Sequence, residues 1–448
     1  MRLRRQAGRQ RCFGKKAVMV MQMKKNGKFW LALVVFCLTG QVAWVVENMY
    51  FNVFIYKMFH ATAAEISAMV AASSVAATVT TLLIGALSDK IGKRKIFICG
   101  GYIAWGISIW SFSLLRLDVL GSLFPNVASA AALGVSLTII MDCVMTFFGS
   151  SANDACFNAW LTDISDDSNR GSIEGVNAMM PLVAILVVFG GFMGLDQNLE
   201  ASWVTIFHVI GIAVILVGVS GIFLIRDVPV KTEENQNFFR NIFYGFRPSV
   251  VKTNGKLYFT LIALAVFNIS IQTFMPYLIL YFTEALKLSN YVLIFAPAIV
   301  AAAVFTGFYG PVYDKKGFQK AVVPTIVMLM AGYLLLYFCR ATALVFIGTL
   351  VMMCGYLGTG AVIGAKVRTH TPANKSGMFQ GLRILAQVLI PGVIGPYIGS
   401  FVLRNADTIV GGDGTVSFIP NANIFLAAFV AGLLIWLTLI PLCKKENA

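Results

Sequence analysis

The stretch GALSDKIGKRK, Gly85 to Lys95, lies between two long apolar runs with room for only a tight turn. A glycine closes one helix, an aspartate follows one turn on, a second glycine sits in the turn, and Lys93, Arg94 and Lys95 come next. The spacing returns in GPVYDKKGFQK, where Gly310, Asp314 and Gly317 stand 225 residues after Gly85, Asp89 and Gly92. A motif repeated at half the chain length points to an internal duplication. Short basic loops between apolar runs mark the cytoplasmic face of a membrane.

Outward from these loops, the runs are long enough to cross a bilayer as helices. The first six are Phe29 to Tyr56, Ala64 to Leu87, Ile96 to Leu117, Val127 to Trp160, Val176 to Leu195 and Ser202 to Ile225. The second six are Leu257 to Phe282, Ser289 to Val312, Ala321 to Phe338, Ala343 to Ala365, Leu382 to Leu403 and Ile424 to Cys443. With 58% hydrophobic and 12% charged residues over 448 positions, the chain is too apolar for a soluble protein of its size. The sequence predicts an all-α membrane protein of twelve spans in two six-helix bundles. The expected units are a basic cytoplasmic arm (1–28), a first bundle (29–225), a cytoplasmic linker (226–256), a second bundle (257–443) and a short tail (444–448).

The net charge of +15 is explained by topology. With both termini in the cytoplasm, 30 of the 35 Lys and Arg fall on the inner side, leaving only Lys57, Arg116, Lys287, Arg340 and Arg404 outside. That distribution implies contact with inner-leaflet lipid and argues against a nucleic-acid partner. The first 28 residues hold ten cations and no acid, and their apolar core is too short for a secretory signal. Translation starts either at Met1 or near Met23. Residues 226–256 mix charge with Phe238, Phe239, Ile242, Phe243 and Phe246, as in a helix lying on the inner membrane surface or a solvated tether.

The eight cysteines form no CxxC pair and the three histidines lie far apart, so neither a disulfide framework nor a zinc site is expected. No GxxxxGKS/T segment is present, so energy would come from an ion gradient rather than from a P-loop nucleotide. No nucleophile and base group near one face, and no enzyme is expected.

Polar groups inside apolar helices are costly and mark function or helix contacts. On the first span Gln41, Asn48 and Asn52 share an arc with Tyr56 at its edge, lining a cavity or joining two helices, and Glu47 lies off it. On the fourth, Asp142 lies deep in the apolar run, as a coupling carboxyl or a structural group, with Thr146 and Asn153 on its face and Asp154 a quarter turn round. In the second half Asn268 and Gln272 sit one turn apart before a kink expected at Pro276, and Tyr356 offers a stacking face. The eleventh span, IPGVIGPYIGS, is interrupted by prolines and glycines, as helices of transporters often are. Arg383 and Gln387 stand at its cytoplasmic start, Arg383 as a gate ion-pair partner or a substrate anchor. RGSIEGVN at Arg170 to Asn177 is echoed by SGMFQGLR at Ser376 to Arg383.

The paired loops resemble the signature loops of the major facilitator superfamily, between helices 2 and 3 and between helices 8 and 9. The resemblance implies two bundles related by a pseudo-two-fold axis, with alternating access to a central site. It also implies that Asp89 braces the cytoplasmic gate against an arginine near the end of helix 4 and the N-terminus of helix 11. The expected gate set is Gly85, Asp89, Gly92, Arg94, Arg170, Asp314, Gly317 and Arg383. NDACFNAWLTDISDDSNRG, from Asn153, resembles more narrowly the glycoside, pentoside and hexuronide cation symporters, with Asp154 and Arg170 fitting their frame. That likeness implies that Asp154 contributes to sugar and cation binding. Ser73 to Leu83, however, lacks the paired carboxylates that such proteins place on helix 2.

The expectation is a monomeric secondary transporter of the plasma membrane that moves a small polar solute, a sugar or glycoside. Gln41, Asn48, Asn52, Asn153, Asn268, Gln272 and Tyr356 would contact the substrate, and Asp142, Asp154 or Glu47 would carry the coupling. No cofactor is expected beyond a coupling ion, a proton in preference to sodium. A proton-driven exporter of drugs or metabolites is the alternative.

Overall fold

The computed structural model describes residues 27–127, 129–165, 170–227, 246–288, 290–371, 376–410 and 415–444. Twelve helices among them are long and apolar enough to span a membrane. In the first half they are α1 (Gly27–Phe59), α2 (Ala63–Ile91), α3 (Arg94–Leu114), α4 (Ala130–Ile164), α5 (Gly175–Phe192) and α6 (Glu200–Leu224). In the second they are α7 (Gly255–Ala285), α8 (Val292–Tyr309), α9 (Lys315–Phe338), α10 (Thr342–His370), α11 (Gly381–Val402) and α12 (Asn423–Ile440). Large apolar side chains such as Ile96, Phe223, Phe308 and Phe401 stand exposed, as suits a surface wetted by lipid.

Helix boundaries follow local chemistry. Thr62 and Glu65 form a reciprocal cap at the start of α2: the Thr62 N–H donates to Glu65 Oε2 at 2.7 Å and the Glu65 N–H to Thr62 Oγ1 at 3.3 Å. Gly92 ends the same helix in the left-handed region (φ 71), and its N–H donates to the Ser88 carbonyl. Gly317, its partner in the repeat, turns the chain between α8 and α9 with φ 79. The duplication thus survives in the positive φ of this glycine, although ψ differs, 15 at Gly92 and 173 at Gly317. It survives again at His60 (φ 55) and Lys287 (φ 54), the left-handed residues that end α1 and α7, 227 positions apart.

Among the described residues, four of the spanning helices contain a π segment. Wider π turns occupy Val46–Tyr50 in α1, Ser150–Phe157 in α4, Tyr281–Ala285 in α7 and Leu385–Leu389 in α11. The kink expected at Pro276 is a tight 3₁₀ turn, Met275–Tyr277, because proline removes one N–H from the ladder.

Within each half the helices pack on one another, α3 on α6, α1 on α5, α7 on α11 and α12, and α9 on α10. Glycines set the closest approaches: a Cβ on Gly106 would stand 2.6 Å from the Gly211 carbonyl, and one on Gly355 2.2 Å from the Leu329 nitrogen. The halves meet along α2 with α11 and α5 with α8. Ser74 abuts Gly392 across the first seam, and Phe189 packs on Phe295 across the second, ring centroids 5.4 Å apart.

Between α11 and α12 the chain forms an antiparallel hairpin, β1 (Thr408–Val410) and β2 (Val416–Phe418), with Ile409 opposite Ser417. It lies at the end of the bundle opposite the Asp89 loop. Most of the segment expected to lie along the membrane, 228–245, falls outside the described residues, and Pro248–Thr253 is a short helix.

Candidate functional site

The π turn of α1 points Glu47 into the first bundle, where it is 8% exposed. Thr146 Oγ1 on α4 donates to Glu47 Oε1 at 2.9 Å. Asp142, four residues before Thr146 and therefore on the same face, is 2% exposed, with the Ser73 hydroxyl of α2 beside it. Glu47 Oε2 and Asp142 Oδ1 are buried without a hydrogen-bond partner. Asp154, half-buried in the π segment of α4, accepts from Ser150 Oγ at 3.1 Å and Asn153 Nδ2 at 3.3 Å. Asp142 and Asp154 both lie within electrostatic reach of Glu47. Among the described residues no lysine or arginine pairs with any of the three.

Three carboxyls from two helices, surrounded by hydroxyls and amides rather than cations, form a site whose charge changes only when something binds. Acidic groups in apolar surroundings are expensive as bare anions, so binding a positive species here is favourable. Among the described residues no trio of His, Cys, Asp or Glu could hold a metal ion.

The amides expected to meet substrate occupy several environments. Asn48 is exposed in mid-helix, on the π turn of α1 that contacts the 3₁₀ turn of α7, which places it at the seam between the halves. Asn48, Asn52 and Asn268 each donate Nδ2 to a carbonyl four residues back, Trp44, Asn48 and Leu264, and keep Oδ1 to accept. Gln41, Gln272 and Asn268 are half-buried, and Gln272 packs against Gly395 of α11. Tyr356 stacks on Phe267, centroids 6.1 Å apart and planes 25° apart.

Two residues of the expected helix 1 stripe are enclosed by protein. Asn52 is 1% exposed, and Tyr56 donates its hydroxyl to the Phe418 carbonyl in the hairpin at 2.6 Å. Asn153, read from the sequence as a substrate contact, has both sides of its amide taken up by protein. Its Oδ1 accepts from Tyr102 at 2.9 Å, its Nδ2 serves Asp154, and its side chain fills the gap left by Gly40.

At the basic loop Asp89 is 62% exposed and pairs at 2.5 Å with Arg94 of its own loop. Arg94 is buried and also reaches Asp163 at the end of α4 (3.1 Å) and Ser88 Oγ (2.6 Å). Arg94 thus bridges the loop's Asp89 and Asp163 of α4. Gly85 lies near Ala155, and Arg383 Nε donates to Gln387 Oε1 at 3.3 Å. The side chains of Arg170 and Asp314 are outside the described residues.

Sequence reasoning missed the polar contacts at the opposite end. Lys57 pairs with Glu284 of α7 at 2.6 Å, and Ser67 Oγ lies 2.7 Å from Tyr277 Oη and 2.9 Å from the Pro396 carbonyl. TIV and TVSF around GGDG, β-branched runs flanking a glycine turn, were the signal for the hairpin that completes this end.

Residues 29–396 match the sequence profile of the Major Facilitator Superfamily. The chain belongs to that superfamily. No curated protein matches the sequence. Solved structures of this superfamily fold superpose over nearly the whole chain. A mutant of the nucleoside transporter NupG gives a TM-score of 0.67 at 12% identity, covering 92% of this chain and 98% of its own. A bacterial homologue of the human lysosomal transporter Spinster, inward-facing and unoccupied, gives 0.64 at 14% identity, covering 92% and 96%. The xylose transporter XylE from E. coli, partially occluded and inward open, gives 0.62 at 13% identity, covering 92% and 98%. At such identities the likeness is one of fold. The superfamily places this integral, multi-pass membrane protein among transporters rather than enzymes.

Proposed function

We propose that the protein is a secondary active transporter that moves a small polar solute together with a proton by alternating access. The observation that carries this reading is the trio of buried Glu47 and Asp142 with half-buried Asp154 in the first bundle, none of them paired with a cation among the described residues. It adjoins the seam where Asn48 meets α7. A proton on one of these carboxyls alters the cost of enclosing the site, and coupling follows if the two facing states differ in that cost. The amides of Asn48, Gln41, Asn268 and Gln272, with the Tyr356 ring, suit a hydroxylated, neutral solute such as a sugar or glycoside. Two structural neighbours are named for a nucleoside and for xylose, both hydroxylated solutes.

The narrower likeness to glycoside, pentoside and hexuronide symporters is retained here for Asp154 alone, since the helix 2 carboxylates are replaced by Ser73 and its neighbours. On this reading the Asp89 loop and both termini face the cytoplasm, the protein lies in the plasma membrane as a functional monomer, and its basic residues contact inner-leaflet lipid. The test is uptake of a sugar panel into proteoliposomes with and without an imposed proton gradient. Concentrative uptake that collapses with the gradient supports the reading. Accumulation indifferent to the gradient, or driven only by sodium, overturns the proton.

A further inference from the structure

The ends of α1 and α7 opposite the Asp89 loop carry a feature that the duplication makes informative. His60 and Lys287 are equivalent positions, each left-handed at the end of its helix. Three residues before each stand Lys57 and Glu284, also 227 apart, and these two form an ion pair at 2.6 Å with both side chains 15% exposed. Positions related by a two-fold rotation are separated by twice their distance from the axis. Equivalent side chains that touch therefore meet on the axis itself, where a path between two bundles would run.

The connections around this pair cross between halves in both directions. In the α5–α6 connection, Asn198 Oδ1 accepts from Lys57 Nζ at 2.8 Å, and Gln197 Nε2 donates to Tyr291 Oη at the start of α8 at 3.1 Å. In the equivalent α11–α12 connection, the hairpin reaches α1: Phe418 accepts from Tyr56, and Ser417 Oγ lies 2.9 Å from His60 Nδ1. The Phe418 ring packs on Tyr56 and Tyr277, centroids at 5.2 and 6.4 Å.

We propose that Lys57 and Glu284 form an axial latch that closes this end of the pathway, with the β1–β2 hairpin as a strap that must lift from α1 before the latch can part. The proposal rests on the alternating-access reading, but its test needs no transported solute. The full chain carrying Asn48→Cys is labelled in membrane vesicles with an impermeant maleimide added on the hairpin side, against a control without that cysteine. Glu284→Lys places two cations on the axis and is expected to raise the labelling rate about tenfold, equivalent to about 1.4 kcal/mol in the balance of states. Glu284→Gln is expected to raise it less, and the exchanged pair Lys57→Glu with Glu284→Lys to return it to the starting rate.

A disulfide between His60→Cys and Ser417→Cys, added to Glu284→Lys, is expected to hold labelling low until reduced. Unchanged labelling in both Glu284 variants, no recovery in the exchanged pair, or labelling that stays high with the disulfide formed would each overturn the latch. If labelling behaves as expected while no solute is found to move, the latch stands and the transport reading falls.

Discussion

The seam between α2 and α11 offers a prediction whose size can be worked from geometry. A Cβ added at Gly392 would stand 2.0 Å from Ser74 Oγ and 2.6 Å from Ser74 Cβ. Non-bonded carbon and oxygen atoms prefer a separation of about 3.5 Å, so the overlap is about 1 to 1.5 Å. Rotating the Ser74 side chain moves its oxygen but not its Cβ, and the helices themselves must separate. Overpacking of this kind costs about 1–3 kcal/mol. Because the contact joins the two halves, that cost falls only on states in which α2 and α11 are pressed together, shifting the balance of states by about 5–150-fold. Gly392→Ala is expected to lower the thermal midpoint in detergent and to favour the state in which these helices are apart, read by cysteine accessibility along the seam. Ser74→Gly in the same chain removes both close atoms and is expected to restore both readouts. A wild-type midpoint and accessibility in Gly392→Ala, or no rescue by Ser74→Gly, would refute the steric reasoning.

Other expectations follow from single sites. Gly317→Ala has open space around it but a φ of 79 with ψ 173, a region essentially confined to glycine, so it is expected to cost about 1–3 kcal/mol from backbone strain alone, whereas Gly100→Ala, also unobstructed but helical, is expected to be neutral or stabilising in the same melting assay. Thr146→Val removes the donor to Glu47 at a cost of about 1–3 kcal/mol and should lower solute-driven alkalinisation in proteoliposomes, while Thr146→Ser should preserve it. Asp89→Asn, at an exposed site, should cost under about 1 kcal/mol. Arg94→Ala removes a buried cation that joins Asp89 and Asp163 and should cost several times more in chemical denaturation. Asp142→Asn and Asp154→Asn should separate solute exchange from net accumulation in flux assays, and unimpaired concentrative uptake in both would remove them as coupling groups.

The parts of the fold legible in the sequence are those set by length, polarity and backbone conformation. Apolar runs located all twelve helices, and the overlong fourth run became α4, 35 residues from Ala130 to Ile164. The repeated glycine spacing carried through to a positive φ at both Gly92 and Gly317, and Pro276 marked the break in α7. The side-chain faces were less legible, because a wheel drawn at 3.6 residues per turn fails across a π turn. Glu47, in the widened turn Val46–Tyr50, accepts from Thr146, and Asn153, in the widened Ser150–Phe157, accepts from Tyr102 of α3. Contacts between halves, such as Lys57 with Glu284 or Tyr56 with Phe418, depend on how distant segments meet, which no local pattern encodes.

The widened segment of α4 also bears on how the gene tolerates change in length. A π bulge stores one surplus residue, so deleting one position from Ser150–Phe157 lets the helix close up as regular α with both flanks in place. Trp160 would still reach the Arg226 carbonyl and Asp163 would still reach Arg94. The same deletion at Ile140 would spin everything beyond it by about 100° and break both anchors.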